Sequence, residues 1–245
     1  MFDHRRTVPG AVLVDLDNTL VDRAGAFADW ASAFASDRGL GSDAAAWLVE
    51  ADRDGYAPRA VLAERMRARF RLPDDVPHLV ERLLFEHLPW VAPYPGVPAR
   101  LDALRSAGIP VVVVTNGTVD QQQAKLDRTG LTDLVSGGVI SQEVSFAKPD
   151  RRIFEAALAV AGIPGVPGVP GVPGVPGAPG AGDAWMVGDH PAADVGGGRD
   201  AGLRTGWVAH GRAWGEEWAP DVVRGSTVEV LDALLDLSRE ARLAR

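Results

Sequence analysis

The strongest constraint on this chain is a repeated unit: a short apolar run that ends in a polar residue and gives way to a helical pattern. Val12-Leu13-Val14 runs into Asp15, Leu16 and Asp17, Val111-Val112-Val113-Val114 runs into Thr115-Asn116-Gly117, and Trp185-Met186-Val187 runs into Gly188-Asp189-His190-Pro191. Runs this short and uninterrupted read as strands buried on both faces. Their alternation with helical patterns predicts an α/β fold, a parallel sheet with helices on both faces. The spacing predicts helices near 97–107, 119–129, 151–161 and 192–201, and strands near 110–115, 135–140, 184–188 and 203–208. A last amphipathic helix carries Val228, Val230, Leu231, Leu234, Leu235 and Leu237.

Open sheets of this kind place ligand sites beyond the carboxyl ends of their strands. Asp15 and Asp17 follow such a strand. In extended chain, residues two apart point the same way, so both carboxylates can face one reacting phosphorus with a metal ion beside them. The same spacing also occurs in calcium loops and at helix caps. Two further segments narrow the choice: Ala147-Lys148-Pro149-Asp150 ahead of a helical pattern, and Asp194 five residues after Asp189.

In order along the chain these residues form an Asp-x-Asp, a Thr, a Lys and an Asp-x4-Asp. The set resembles the haloacid dehalogenase (HAD) superfamily, a large group of mostly magnesium-dependent aspartyl phosphatases, over residues 11–22 and about 93–210. That resemblance implies a Rossmann-like HAD core at 1–22 and 93–245. The segment 23–92 has lost its strand signal and carries four helical patterns, matching by position the inserted all-helical C1 cap. Ala26, Phe27, Trp30, Ala33 and Phe34 recur at helical spacing there. Ser42 is placed as the cap of a helix through Trp47 and Leu48, and Pro58 as the first residue of one through Val61, Leu62, Met66 and Phe70. A fourth pattern holds Leu79, Leu83, Leu84 and Leu88.

The resemblance also implies roles. Asp15 is the nucleophile that forms an aspartyl phosphate. Mg2+ is held by the Asp15 carboxylate, the Asp17 backbone carbonyl, Asp189, a phosphate oxygen and waters. Lys148 and Thr115 bind the phosphoryl oxygens, Asp17 is the acid and base, and Asp194 orients either the metal's water shell or Lys148. Asn116 is counted with the phosphate-binding residues, although Asn116 and Gly117 also read as turn formers. Taken singly, Thr115 and Lys148 read equally well as helix caps. His190 reads as a turn-stabilising residue, Asp22 as a cap or hinge, and the seven tryptophans as mostly core, with Trp30 and Trp47 in the helical insertion.

A carboxylate at Asp17 argues against the dehalogenases of the superfamily, which need no acid for a leaving halide. Thr115-Asn116-Gly117, Gln122, Lys125-Leu126 and Thr129-Gly130-Leu131, continuing through Ser141-Gln142-Glu143-Val144, resemble the branch that includes pyrimidine 5'-nucleotidases and flavin mononucleotide phosphatases. The implied reaction is hydrolysis of a small phosphomonoester, a nucleotide, flavin or sugar phosphate. A phosphomutase or 2-haloacid dehalogenase of the same superfamily, or a non-catalytic interaction protein on its scaffold, are the alternatives. Arg53, Tyr56 and Arg59 in the insertion form a candidate specificity cluster or an exposed turn.

At 245 residues the chain accommodates one large α/β domain with an inserted subdomain. A net charge of -8, with both signs mixed throughout, offers no basic stripe for a nucleic-acid polymer. The absence of cysteine excludes disulfides, zinc thiolates and thiol catalysis. No segment reads as a membrane span, and a soluble, cytoplasmic monomer or homodimer is expected. The Gly-Val-Pro tract at 164–182 reads as a solvated loop inserted in the core, since a collagen triple helix needs three chains and long unbroken triplets.

Overall fold

The computed structural model describes residues 8–163 and 181–243. The chain divides into two compact units, one formed by residues 1–20 and 93–245, the other by Val21–Ala92. The second unit follows strand β1 (Ala11–Val14) and is helical throughout: α1 (Arg23–Asp37), α2 (Ser42–Asp52), α3 (Arg59–Phe70) and α4 (Val76–Phe85). The first unit then continues with α5 (Val97–Ser106), β2 (Val111–Thr115), α6 (Val119–Thr129), β3 (Gly137–Ile140), α7 (Ser141–Val144), α8 (Arg151–Val160), β4 (Ala184–Gly188), α9 (Gly197–Asp200), β5 (Arg204–Val208), β6 (Val222–Arg224) and α10 (Thr227–Leu243).

The six strands form one parallel sheet in the order β3-β2-β1-β4-β5-β6. From β1 the chain winds outward to β3, then returns to the other side of β1 and winds outward again. The reversal falls between β1 and β4, where an open sheet leaves its crevice. In register, Leu13 lies opposite Val112 on one side and Met186 on the other. These residues, with Val114 and Val139, pack under Ile153, Phe154, Ala157 and Leu158 of α8. Helices α5 and α10 lie against β2 and β5. Every residue of β1, β2 and β4 is buried, as strands covered on both faces require.

The helical unit builds its own core. Phe27, Trp30 and Phe34 recur every three or four residues along α1, with ring centroids 5.0 and 5.2 Å apart, and meet Leu48, Leu62, Met66, Leu79 and Leu83. Fully burying each such side chain contributes roughly 1.5–3 kcal/mol. The indole N–H of Trp30 donates to Glu86 Oε2 at 2.9 Å, satisfying the one polar atom that ring carries inward. Asp22 caps α1 by accepting from the Gly25 N–H at 2.8 Å.

Several expectations need correction. The edge strand β6 has three residues, too few to show any periodicity. The helix expected over 192–201 is a π-helical turn, Pro191–Gly196, followed by α9. Its glycines let it press on the sheet: a Cβ at Gly198 would stand 2.6 Å from the Cβ of Met186. Helix α2 begins at Ser42 with Gly41 in the cap position, and Pro58 occupies the cap position of α3 rather than its first turn. Val61 is 50% exposed because α3 turns Leu62, Ala63 and Met66 inward, and α4 ends at Phe85, short of Leu88. The seven tryptophans, by contrast, are mostly core as expected: Trp30, Trp185 and Trp207 are buried and half-buried Trp47, Trp214 and Trp218 pack against core clusters, while Trp90 is exposed. The Gly-Val-Pro tract lies outside the described residues apart from its last two positions. Among the described residues no helix is long and apolar enough to cross a membrane.

Candidate active site

The carboxyl ends of β1, β2 and β4 deliver Asp15, Thr115 and Asp189 to the switch point. The Asp15 N–H donates to the Val187 carbonyl at 2.9 Å, the last bond of the β1–β4 ladder, so the chain leaves the sheet at that residue. The Asp189 N–H donates to Thr19 Oγ1 at 3.1 Å, tying the turn after β4 to the turn after β1. Lys148 comes from the segment ahead of α8. Its Nζ lies 2.5 Å from Asp15 Oδ1 and 2.7 Å from Asp194 Oδ1.

Asp194 sits in the π-helical turn, where its Oδ2 accepts from the His190 N–H at 2.9 Å. The carboxylate lies so close under Gly188 that a side chain at 188 would collide with it. His190 stabilises the same turn, its Nδ1 accepting from the Ala193 N–H at 2.9 Å. Asn116 braces Lys148: the Lys148 N–H donates to Asn116 Oδ1 at 2.8 Å, and Asn116 Nδ2 donates to the Lys148 carbonyl at 3.0 Å. Its carboxamide is therefore engaged with backbone, while Thr115, 1% exposed, accepts from Gln122 Nε2 through its hydroxyl.

Asp15, Asp189 and Asp194 are all buried, and each offers a carboxylate oxygen within 4.8 Å of the others. Burial pushes the Asp15 carboxyl up to about 7 against the pull of Lys148, with the Asp194 and Asp17 charges adding to the rise. Burial, then the charges of Asp194 and Asp15, push Asp189 up to about 8, partly offset by Arg212. Burial works against the Lys148 ammonium, yet Asp15 and Asp194 hold its pKa above the ordinary lysine value. A set of hard oxygens that resists carrying its full negative charge is a set that a small divalent cation would relieve. The residues fit such an ion.

Several residues at the site carried no role in the sequence reading. Lys125, 1% exposed, places Nζ 2.7 Å from both carboxylate oxygens of Asp17 and 2.8 Å from Gln122 Oε1. Gln122 Nε2 also donates to Asp17 Oδ2 at 3.1 Å. Arg212, beyond β5, donates to the Asp189 carbonyl at 2.7 Å and to its Oδ2 at 3.1 Å, and Trp207 Nε1 donates to the same carbonyl at 2.9 Å. His210 Nε2 lies 2.7 Å from the Asn18 carbonyl. The signal for Lys125 and Gln122 was the spacing of Gln122, Lys125 and Leu126, which puts all three on one face of α6, the buried one.

In the helical unit, the candidate residues Arg53, Tyr56 and Arg59 lie on and beside one turn, the Tyr56 N–H donating to the Arg53 carbonyl at 3.0 Å. Arg53, Asp54 and Gly55 make a 3-10 turn with φ of 52°, 54° and 94°. Buried Asp52 holds that turn, accepting from Gly55 N–H at 2.8 Å, from Arg59 Nη1 at 2.7 Å and from both Nη atoms of buried Arg23. Arg59 also donates to the Gly55 carbonyl at 2.8 Å, so it braces the turn, whereas Tyr56 is 53% exposed.

A family model for hydrolases described as haloacid dehalogenase-like hydrolase matches residues 9–202. A phosphoserine phosphatase from Thermus thermophilus is 38% identical over 138 residues, 56% of this chain and 49% of that protein. The pyrimidine 5'-nucleotidase YjjG of Escherichia coli is 40% identical over 129 residues, 52% of this chain and 50% of that protein. The chain thus spans about half the length of these two relatives. A HAD family hydrolase from Deinococcus radiodurans, solved with bound phosphate and sodium, superposes with a TM-score of 0.69 at 20% identity, covering 95% of this chain and 97% of that one, a likeness of fold.

Proposed function

The chain belongs to the haloacid dehalogenase-like hydrolase family, and from that premise we propose that it is a magnesium-dependent phosphatase of small phosphorylated metabolites. The observation that carries the reading is the pairing of a buried nucleophile, Asp15, with a buried ammonium, Lys148, at the sheet's switch point. A phosphomonoester dianion repels an approaching carboxylate, and only local positive charge makes the attack feasible. Lys148 supplies one such charge. Asp15, Asp189 and the Asp17 backbone carbonyl would hold Mg2+, which when bound supplies the other.

Asp15 attacks phosphorus as the ester P–O bond breaks, and Asp17 gives its proton to the departing alkoxide. Water then attacks the aspartyl phosphate, Asp17 takes the water's proton, and Asp15 is released as a carboxylate with inorganic phosphate. Thr115 orients a phosphoryl oxygen, and Asn116 serves by fixing the Lys148 backbone. Asp194 gives Lys148 a second carboxylate partner beside Asp15. Two relatives that this chain resembles are named for phosphoserine and pyrimidine nucleotides, in keeping with a small phosphomonoester. Substrate choice we assign to the exposed turn of the helical unit at Arg53 and Tyr56, with Arg59 as its brace.

The test is a panel of nucleotide, flavin, sugar and amino-acid phosphates with magnesium. Release of inorganic phosphate supports the reading. Migration of phosphate within the substrate without release means a phosphomutase, and inertness across the panel overturns catalysis.

A further inference from the structure

Each carboxylate of the Asp15/Asp17 pair has a lysine of its own. Lys148 serves Asp15, and the family reading accounts for it. Lys125 serves Asp17, and nothing in that reading calls for it. We propose that Lys125 is a positioning residue for the acid and base of the reaction: it clamps both oxygens of Asp17, and through Gln122 it ties that carboxylate to Thr115. This deepens the reading of Asp17 as acid and base and rests on it.

The geometry is specific. Nζ lies 2.7 Å from both Oδ1 and Oδ2 and so holds the carboxylate head on, while the Gln122 Nε2 bond to Oδ2 at 3.1 Å distinguishes the two oxygens and sets the rotation of the group. Gln122 turns its carbonyl oxygen to Lys125 and its Nε2 to Asp17 Oδ2 and the Thr115 hydroxyl. One amide thereby links the group that handles the proton to the group that faces the phosphoryl oxygen. Lys125 is 1% and Gln122 0% exposed, whereas the Asp17 side chain retains 25% exposure, as a group that must meet substrate and water requires.

Stability alone does not explain the arrangement. Burying an ammonium is unfavourable unless its partners compensate, and an apolar residue of the same volume usually serves a core at least as well. The inward face of α6 holds Leu126 beside these two polar residues, so an apolar continuation was available. What Lys125 adds is orientation. A proton reaches the leaving oxygen, and later leaves the attacking water, only if the carboxylate stands within hydrogen-bond reach in both steps, and a side chain held by two partners loses little time to other rotamers.

The experiment compares wild type, Lys125→Met, Asp17→Asn and the double variant in the full-length protein with magnesium. Single-turnover phosphoryl transfer to the enzyme is followed with glycerol 2-phosphate, a poor leaving group, and 4-nitrophenyl phosphate, a good one. Lys125→Met is expected to slow transfer from the alkyl ester at least tenfold and from the aryl ester by a smaller factor, with KM and the magnesium Kd from calorimetry within about threefold of wild type. The double variant is expected to match Asp17→Asn within about threefold, because a positioning residue has nothing left to position. A further tenfold loss in the double variant, or equal losses on both esters in Lys125→Met, overturns the proposal. If Asp17→Asn itself runs at the wild-type rate on both esters, the assignment of Asp17 fails and the proposal with it, a result distinct from either of the others. Should Lys125→Met fail to fold, the comparison of Asp17→Asn with the double variant still decides, since the double variant removes both charges of the pair and leaves neither buried alone.

Discussion

Lys148 Nζ stands between two buried carboxylates, 2.5 Å from Asp15 and 2.7 Å from Asp194. In the proposed reaction it would hold the nucleophile in place and offset charge gathering on the phosphoryl group. Replacing it by Met leaves both acids without that partner. Lys148→Met is expected to lower kcat/KM by about 10²-fold or more, as loss of an electrostatic contact to a transition state does. It should also lower metal-free stability by roughly 3–5 kcal/mol, the usual effect of breaking a buried pair. Steady-state kinetics and thermal melting check both, and a variant with wild-type turnover would remove Lys148 from the phosphate site.

Asp15→Asn separates chemistry from stability in the other direction. The amide lacks the anionic oxygen that the proposed reaction uses to attack phosphorus, so turnover should vanish. Yet burial and the charges of Asp194 and Asp17 disfavour the ionised Asp15 carboxyl, and a neutral isostere relieves that repulsion while Asp194 still holds Lys148. The thermal midpoint in EDTA near pH 8 is expected to equal or exceed that of wild type. A clear fall in midpoint would mean that the Lys148 contact outweighs the repulsion.

The acid cluster also predicts a pH dependence. An unfolded aspartate loses its proton near pH 4, whereas Asp15 and Asp189 are pushed up to about 7 and about 8. Their contribution to the stability of metal-free protein is complete below about pH 4 and is lost as pH rises through those two values. Magnesium held by these acids, as proposed, would have to displace their protons at lower pH. Its stabilising effect, read as the rise in thermal midpoint over an EDTA control, should therefore be larger at about pH 8.5 than at about pH 6. An equal rise at both values would show that the ion binds elsewhere.

Gly188 closes the strand that delivers Asp189, and a methyl group there would run into Asp194. Gly188→Ala should displace that carboxylate and with it Lys148. The expected outcome is a loss of about 1–3 kcal/mol in stability, typical of overpacking, with a weaker magnesium Kd by calorimetry. An unchanged Kd would exclude Asp194 from any influence on the ion.

The parts of this molecule that were legible in its sequence are those where burial leaves a period. Val111–Val114 and Trp185–Val187 are apolar at every position because both faces of the strand are covered, and the acids stand out because each directly follows such a run. Gln122 and Lys125 entered the sequence reading only as part of a family-like stretch; their contact with Asp17 was not legible because their face of α6 is buried yet polar, and a pattern rule takes polar residues for solvent-facing ones. Arg212 and His210 lie in a loop beyond β5, where no repeat spacing exists to show that they reach back to Asp189 and Asn18. Arg53, Tyr56 and Arg59 read in the sequence as either a specificity cluster or an exposed turn, and no spacing signal shows that the buried acid at 52 binds Arg59 under a turn that leaves Tyr56 exposed.

Asp52 is accordingly the residue on which the turn of the helical unit depends. Its carboxylate neutralises Arg23, which is 4% exposed, binds Arg59, and accepts from the Gly55 N–H while Arg53 and Asp54 both hold positive φ. Non-glycine residues in that region carry a strain of about 1–3 kcal/mol each and persist only where neighbours enforce it. Burial tends to raise the Asp52 carboxyl, but the bonds and charges of Arg23 and Arg59 prevail and hold it below the ordinary value. Its contribution to stability is thus present above about pH 4 and is lost as pH falls through the lowered pKa, the reverse of Asp15 and Asp189. Asp52→Asn leaves the Arg23 guanidinium buried without a counter-charge, which costs roughly 3–5 kcal/mol. The variant should melt earlier than wild type at neutral pH and converge with it in acid, while its magnesium Kd stays unchanged because the acid cluster belongs to the other unit. A melting curve that coincides with wild type at neutral pH would show that the turn holds itself without the ion pairs.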